Sequence, residues 1–204
     1  MQIFRLKELS KTRILTECAV LAALSLALSL IPGLSMPFGG TISWFATAPV
    51  LIAAMRHGSR WGIATALIYS LTQLLLGLNN FSWLPRTLIA VVGCALLDYV
   101  IAYTCLGLAG WIYRLCKSRI GGVTVSVLMT GCIRLLCSFL SGILIWKGIV
   151  PPEYADWSPW LYSLAYNAAW CVPDVVLALI ALLALSRMDT LALLPEKAGE
   201  KADA

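Results

Sequence analysis

Four ionisable side chains, Glu17, Asp98, Arg134 and Asp174, sit inside apolar runs of this 204-residue chain. Each costs on the order of 2.5–3.5 kcal/mol at a bilayer centre, so such groups turn toward a bundle interior or a cavity rather than lipid. At about 100° per residue, Cys94, Asp98, Ala102, Cys105 and Ala109 share one narrow face, which sets a carboxylate on a seam of small side chains. That seam serves close helix packing or leaves room for a ligand beside the acid. Arg134, Ser138, Ser141 and Gly142 fall on one face of a later run, with Trp146 nearby. An Arg134–carboxylate clamp between helices and a ligand contact fit that face equally well. Tyr162, Tyr166, Trp170 and Asp174 step by four, with Asn167 beside them. Rings at a span end often form only an interfacial belt, but a belt requires neither Asn167 nor rings one and two turns deeper. A ligand site is the better account of this face. Glu17 and Asp174 are placed nearer the cytoplasmic ends of their runs and read as structural. Together the aromatic face, carboxylate and amide describe a pocket for a flat, hydrogen-bonding, cationic molecule, since rings stabilise a cation by about 0.5–2 kcal/mol.

The elements that must position these groups are membrane helices. The chain is 60% hydrophobic and 12% charged, against roughly 25% charged in an average soluble domain, and its mean hydropathy is +0.87. Apolar runs near the length that crosses a hydrocarbon core predict spans at 14–31, 43–55, 61–78, 88–112, 121–145 and 160–186. The second is short, so it draws on the glycine-rich stretch before it or crosses obliquely. The expected fold is an all-α integral membrane protein, a six-helix transmembrane bundle in one domain over 1–195 with a disordered cytoplasmic tail at 196–204.

Lys and Arg are retained on the cytoplasmic side. Arg5, Lys7, Lys11, Arg13, Arg56, Arg60, Arg114, Lys117, Arg119, Arg187, Lys197 and Lys201 fall on one side of this topology, leaving only Arg86, Lys147 and the intramembrane Arg134 elsewhere. Both termini are therefore expected to be cytoplasmic. The net charge of +5 expresses this bias and gives no reason to invoke nucleic acid. Glu17 and the length of the first run argue against a cleaved leader. Seven cysteines without a CxxC pair and a lone histidine, His57, make a metal site or disulfide framework a poor expectation. Two connections, "PGLSMPFGGTIS" (32–43) and "KGIVPPEYADWSPW" (147–160), are longer than bare hairpins need and are suited to capping a pocket.

"LSMPFGGTIS", "LLDYVIAY", "SGILIW" and "YSLAYNAAW", in that order, closely resemble the thiamine-specific substrate-binding subunits (S-components) of energy-coupling factor (ECF) vitamin transporters. The similarity runs from "LTECAVLAAL" through the sixth span. It implies a bundle that binds thiamine or a related small molecule at its outer side, in a bacterial cell membrane. Such a subunit docks on a shared ECF transmembrane subunit driven by two ATPases, so ATP is used by partners and the chain needs no cofactor of its own. Carried over by position, Asp98 reads the aminopyrimidine with Tyr99 beside it, and Gly142, Trp146, Tyr162 and Asn167 match other pocket residues. Ser138 stands where the family usually has a histidine. The family's further pocket aromatic falls near "NNFSWLPRTLIAVVGCA", with Phe81 and Trp83 as candidates. Ala19 and Ala23 match the AxxxA pattern with which the first helix meets the shared subunit, a spacing that ordinary helix packing also produces.

Two other function classes fit the sequence less well. A self-sufficient proton-coupled carrier, with Asp98 or Glu17 carrying the proton, would be favoured by internal repeats, and none is detectable. An enzyme would need a nucleophile–base pair, HExxH or comparable constellation, and none is visible. The chain also lacks GxxxxGK[ST].

Overall fold

The computed structural model describes residues 10–36, 40–85 and 87–187; the tail expected to be disordered, at 196–204, lies outside them. Six helices form where the apolar runs predict them. They are α1 (Lys11–Ser29), α2 (Ala48–His57), α3 (Ser59–Leu76), α4 (Leu88–Leu115), α5 (Arg119–Leu144) and α6 (Pro159–Ser186). Hydroxyl side chains start four of them: Ser10, Thr87, Ser118 and Ser158 each accept a hydrogen bond from the backbone N–H three residues on. Such caps satisfy donors that a helix start otherwise leaves orphaned.

α2 departs from the expected span at 43–55. Its 10 residues rise about 15 Å, half of a hydrocarbon core of about 30 Å. Every residue from Ala48 to Met55 is buried, because α1, α3 and α4 all pack around it. Protein rather than lipid is its solvent. The glycine-rich stretch before it forms a small antiparallel hairpin, β1 (Leu34–Ser35) with β2 (Thr41–Ile42).

Among the described residues, α1, α4, α5 and α6 are long and apolar enough to cross a membrane. Their outward faces carry exposed Leu15, Val20 and Leu24, Val92 and Leu96, Leu128 and Leu136, and Val172, Val176 and Ile180. Inside, Leu51, Met55, Tyr69, Leu106, Val123, Val127 and Leu182 form the core. A molecule apolar both inside and out is an all-α membrane protein.

α4 is not uniform. Between α-helical Leu88–Cys94 and Ala102–Thr104 it widens into π-helix over Ala95–Ile101, then tightens into a 3-10 turn at Cys105–Leu108 before Ala109–Leu115. The small-residue seam survives this change of pitch: Cys94, Ala102, Cys105 and Ala109 are all buried.

A candidate ligand cavity beside the hairpin

The π-helical segment carries Asp98 and Tyr99, and both line a cavity of about 280 Å³. Segments of this kind recur at functional sites because the extra residue per turn re-aims side chains. Asp98 is held through one oxygen. Its Oδ2 accepts from Ser141 Oγ at 2.6 Å, Trp146 Nε1 at 3.1 Å and Cys94 Sγ at 3.3 Å. No described residue donates to Oδ1. The carboxylate is thus clamped to α5 and the turn after it while one acceptor oxygen stays open.

Tyr99 is fixed from behind. Asn80 Nδ2 donates to its hydroxyl at 3.2 Å, and the Phe81 ring stacks on it at 6.0 Å between centroids. Neither aromatic expected from this stretch reaches the cavity. Phe81 backs Tyr99 instead, and Trp83 is 60% exposed. The six-residue 3-10 turn Leu78–Trp83 explains this, since it carries these rings past the cavity wall.

α5 and α6 supply the opposite wall. Ser138, Gly142 and Trp146 line the cavity from α5 and its end, and Tyr162, Ser163, Tyr166, Asn167 and Trp170 line it from α6. Asn167 is largely occupied in holding the two helices together: Nδ2 donates to the carbonyls of Ser163 at 2.9 Å and Ser138 at 3.2 Å, and Oδ1 accepts from Trp170 Nε1 at 3.3 Å. Gly142 permits that approach, since a Cβ there would collide with Ser163 Oγ and reach Asn167 Nδ2 at 3.3 Å. The hairpin closes over the aromatic face. Gly40 N–H donates to the Tyr166 hydroxyl at 3.0 Å, and a Cβ on Gly40 would meet that hydroxyl and Trp170 Cδ1 at 2.9 Å. Above it the rings continue from Tyr166 to Tyr162 at 6.0 Å, to Tyr154 at 5.6 Å and to Trp157 at 5.3 Å.

All seven ligand residues expected from sequence, Asp98, Tyr99, Ser138, Gly142, Trp146, Tyr162 and Asn167, line this one cavity. Asp174 and Arg134 do not. They form a buried ion pair with each other, and the guanidinium lies over the rings of Tyr103 at 4.3 Å and Trp170 at 4.8 Å. This settles the open alternative for Arg134 in favour of the helix clamp, and Asp174 is structural through burial rather than nearness to water. Ser29, Gln73, Asn80, Tyr103 and Lys147 also line the cavity and were missed. Gln73 left a signal, an amide inside the third apolar run, and Lys147 opens a connection suited to capping a pocket; Ser29, Asn80 and Tyr103 left none.

Glu17 lies far from the cavity. Its carboxylate binds Arg13 Nε at 3.1 Å and Arg56 Nε at 3.0 Å, with His57 Nε2 at 3.0 Å. Burial first, and Arg56 after it, hold the His57 imidazole below its ordinary pKa, against the pull of Glu17. Ala19 and Ala23 are exposed on α1, so packing within this chain is not what their spacing serves.

The family model described as "Thiamine transporter protein (Thia_YuaJ)" matches residues 15–193. A curated relative, "Thiamine transporter ThiT" of Bacillus subtilis (strain 168), is 29% identical over 179 residues, spanning 82% of this chain and 87% of the relative. A solved structure of ThiT from Listeria monocytogenes superposes with a TM-score of 0.70 at 22% identity, covering 92% of this chain and all of that one. That likeness establishes the fold.

Proposed function

The chain belongs to the thiamine transporter protein (Thia_YuaJ) family, a family of multi-pass membrane transporters and not of enzymes, and from that premise we propose that it captures thiamine in the cavity beside the hairpin. The observation that carries this reading is Asp98, a carboxylate in a membrane bundle with Oδ2 saturated by three protein donors and Oδ1 left open. An aminopyrimidine offers an amino N–H to such an acceptor, and Tyr99, Tyr162, Tyr166 and Trp170 supply ring faces for a flat cationic ligand.

In this proposal the chain is the substrate-binding subunit of an ATP-driven ECF-type importer. The chain crosses the membrane six times as one domain, α2 completing its crossing with the stretch before it, with both termini cytoplasmic and the cavity at the outer side. The described basic residues at the ends away from the cavity, Arg13, Arg56, Arg60, Arg114, Lys117 and Arg187, support that orientation. Ala19 and Ala23 form part of the docking face for a shared transmembrane subunit, which with two ATPases supplies the energy.

The test is equilibrium binding of thiamine to the purified chain in detergent. Trp146 and Trp170 border the cavity, so binding should quench tryptophan emission and release or absorb heat in a calorimeter. Unchanged emission together with no heat would overturn the reading.

A further inference from the structure

The cavity is charged at two separate places. Among its described lining residues Asp98 is the one acid and Lys147 the one base. Lys147 directly follows Trp146, whose indole holds Asp98 Oδ2, so its Cα lies about 3.8 Å from that of the tryptophan. It stands in the turn after α5, exposed, while Asp98 is recessed on the π-helical segment. No ion pair engages it among the described residues: Glu153 and Asp156, in the same connection, pair with nothing. Ile149, Val150 and Pro159, which line the same cavity, are apolar, and the Tyr162 hydroxyl has no hydrogen-bond partner among the described residues.

An unpaired ammonium opposes a purely cationic ligand. With thiamine alone the site would hold two positive charges, thiazolium and Lys147, against the single carboxylate. A ligand whose far end is a phosphate monoester reverses that balance, because its dianion meets the ammonium and an unengaged phenol while the amino heterocycle meets Asp98. Charge-assisted hydrogen bonds of this kind are roughly twice as strong as neutral ones.

We infer that Lys147, with the Tyr162 hydroxyl, forms an anion subsite at the cavity mouth that selects a phosphorylated form of the ligand over the free alcohol. This rests on the thiamine reading above and names the ligand class within it. The same phosphate chemistry is offered by lipid headgroups, so the test separates the two sources.

The affinities of thiamine and thiamine monophosphate are measured for the full chain and for Lys147→Ala and Tyr162→Phe, each in lipid-free detergent and in nanodiscs with and without phosphatidylglycerol. The expected result in detergent is a drop of about tenfold in the ratio of ester to alcohol affinity for Lys147→Ala, a smaller drop for Tyr162→Phe, and a salt sensitivity of ester binding that Lys147→Ala removes. A ratio within twofold of the parent chain's overturns the subsite even where thiamine binds well, and leaves the thiamine reading standing. A Lys147 effect confined to nanodiscs with phosphatidylglycerol overturns it in favour of a headgroup contact. Absence of binding by both ligands to the unmodified chain defeats the thiamine reading and the subsite with it.

Discussion

Asp98 can present one oxygen to a ligand only because the other is spoken for. Converting it to asparagine breaks this division, since an amide accepts at one end and donates at the other. If the amide oxygen takes the bonds from Ser141 and Trp146, the NH2 faces the ligand's own donor. Asp98→Asn should therefore weaken thiamine binding by more than about 1.5 kcal/mol, the lower end for a hydrogen bond to a charged group. Ser141→Ala, which removes the shortest of the three bonds, should weaken it less. Calorimetry on folded variants checks both, and an unchanged affinity for Asp98→Asn would remove the carboxylate from recognition. Ser138, buried against the cavity, is smaller than the histidine that the sequence resemblance implies at this position, which fits a ligand less closely covered on that side.

Between elements, the Arg134–Asp174 pair ties α5 to α6 beneath the cavity, and the rings of Tyr103 and Trp170 cover the guanidinium. Removing one partner of a buried pair strands the other charge, at about 3–5 kcal/mol. Arg134→Met should lower the melting temperature in detergent sharply, and Arg134→Met with Asp174→Leu should recover most of the loss. Equal melting of the single variant and the parent would mean that the pair is not a clamp. These elements differ in how far sequence exposes them. Apolar runs locate all six helices because lipid and core both demand apolar side chains along their length. The same runs conceal that α2 by itself is too short to cross, since burial in protein and burial in lipid select the same residue types. The π-helical turn has no compositional mark, and its recognition waits on coordinates. For the cavity, residues on α4, α5 and α6 were legible because polar groups in apolar helices are conspicuous. Ser29 and Lys147 arrive from helix ends and turns, where polarity is ordinary, so only folding brings them to the cavity.

At the scale of the whole molecule, the proposed binding subunit uses different surfaces for capture and for delivery. The cavity is built from α4, α5, α6, the hairpin and the ends of α1 and α3, whereas Ala19, Ala23 and Ala27 lie exposed on the flank of α1. A tryptophan at Ala23 would hold a partner helix away without approaching the ligand. Ala23→Trp is expected to abolish thiamine uptake in cells that contain the ATPase module while the detergent-solubilised chain keeps its affinity. Liposomes containing this chain alone, given a proton gradient and no ATP, should accumulate nothing. Accumulation there would identify a self-sufficient carrier and end the binding-subunit reading.

The wide turn in α4 also bears on inheritance. A π-helical stretch holds one residue more than the α-helix that would span the same rise, so the difference between the two is a single codon. Loss of Leu96 would let Ala95–Ile101 relax to regular helix while the core contacts of Leu106 and Tyr113 hold the far end in place. The flanks would then keep their places, and the change would fall within the segment itself, re-aiming Asp98 away from Ser141 and Trp146. Such a deletion should yield a chain that inserts and melts much like its parent yet binds thiamine poorly. A lineage could in this way lose its ligand, and become free to acquire another, by one change of length that leaves the membrane fold standing.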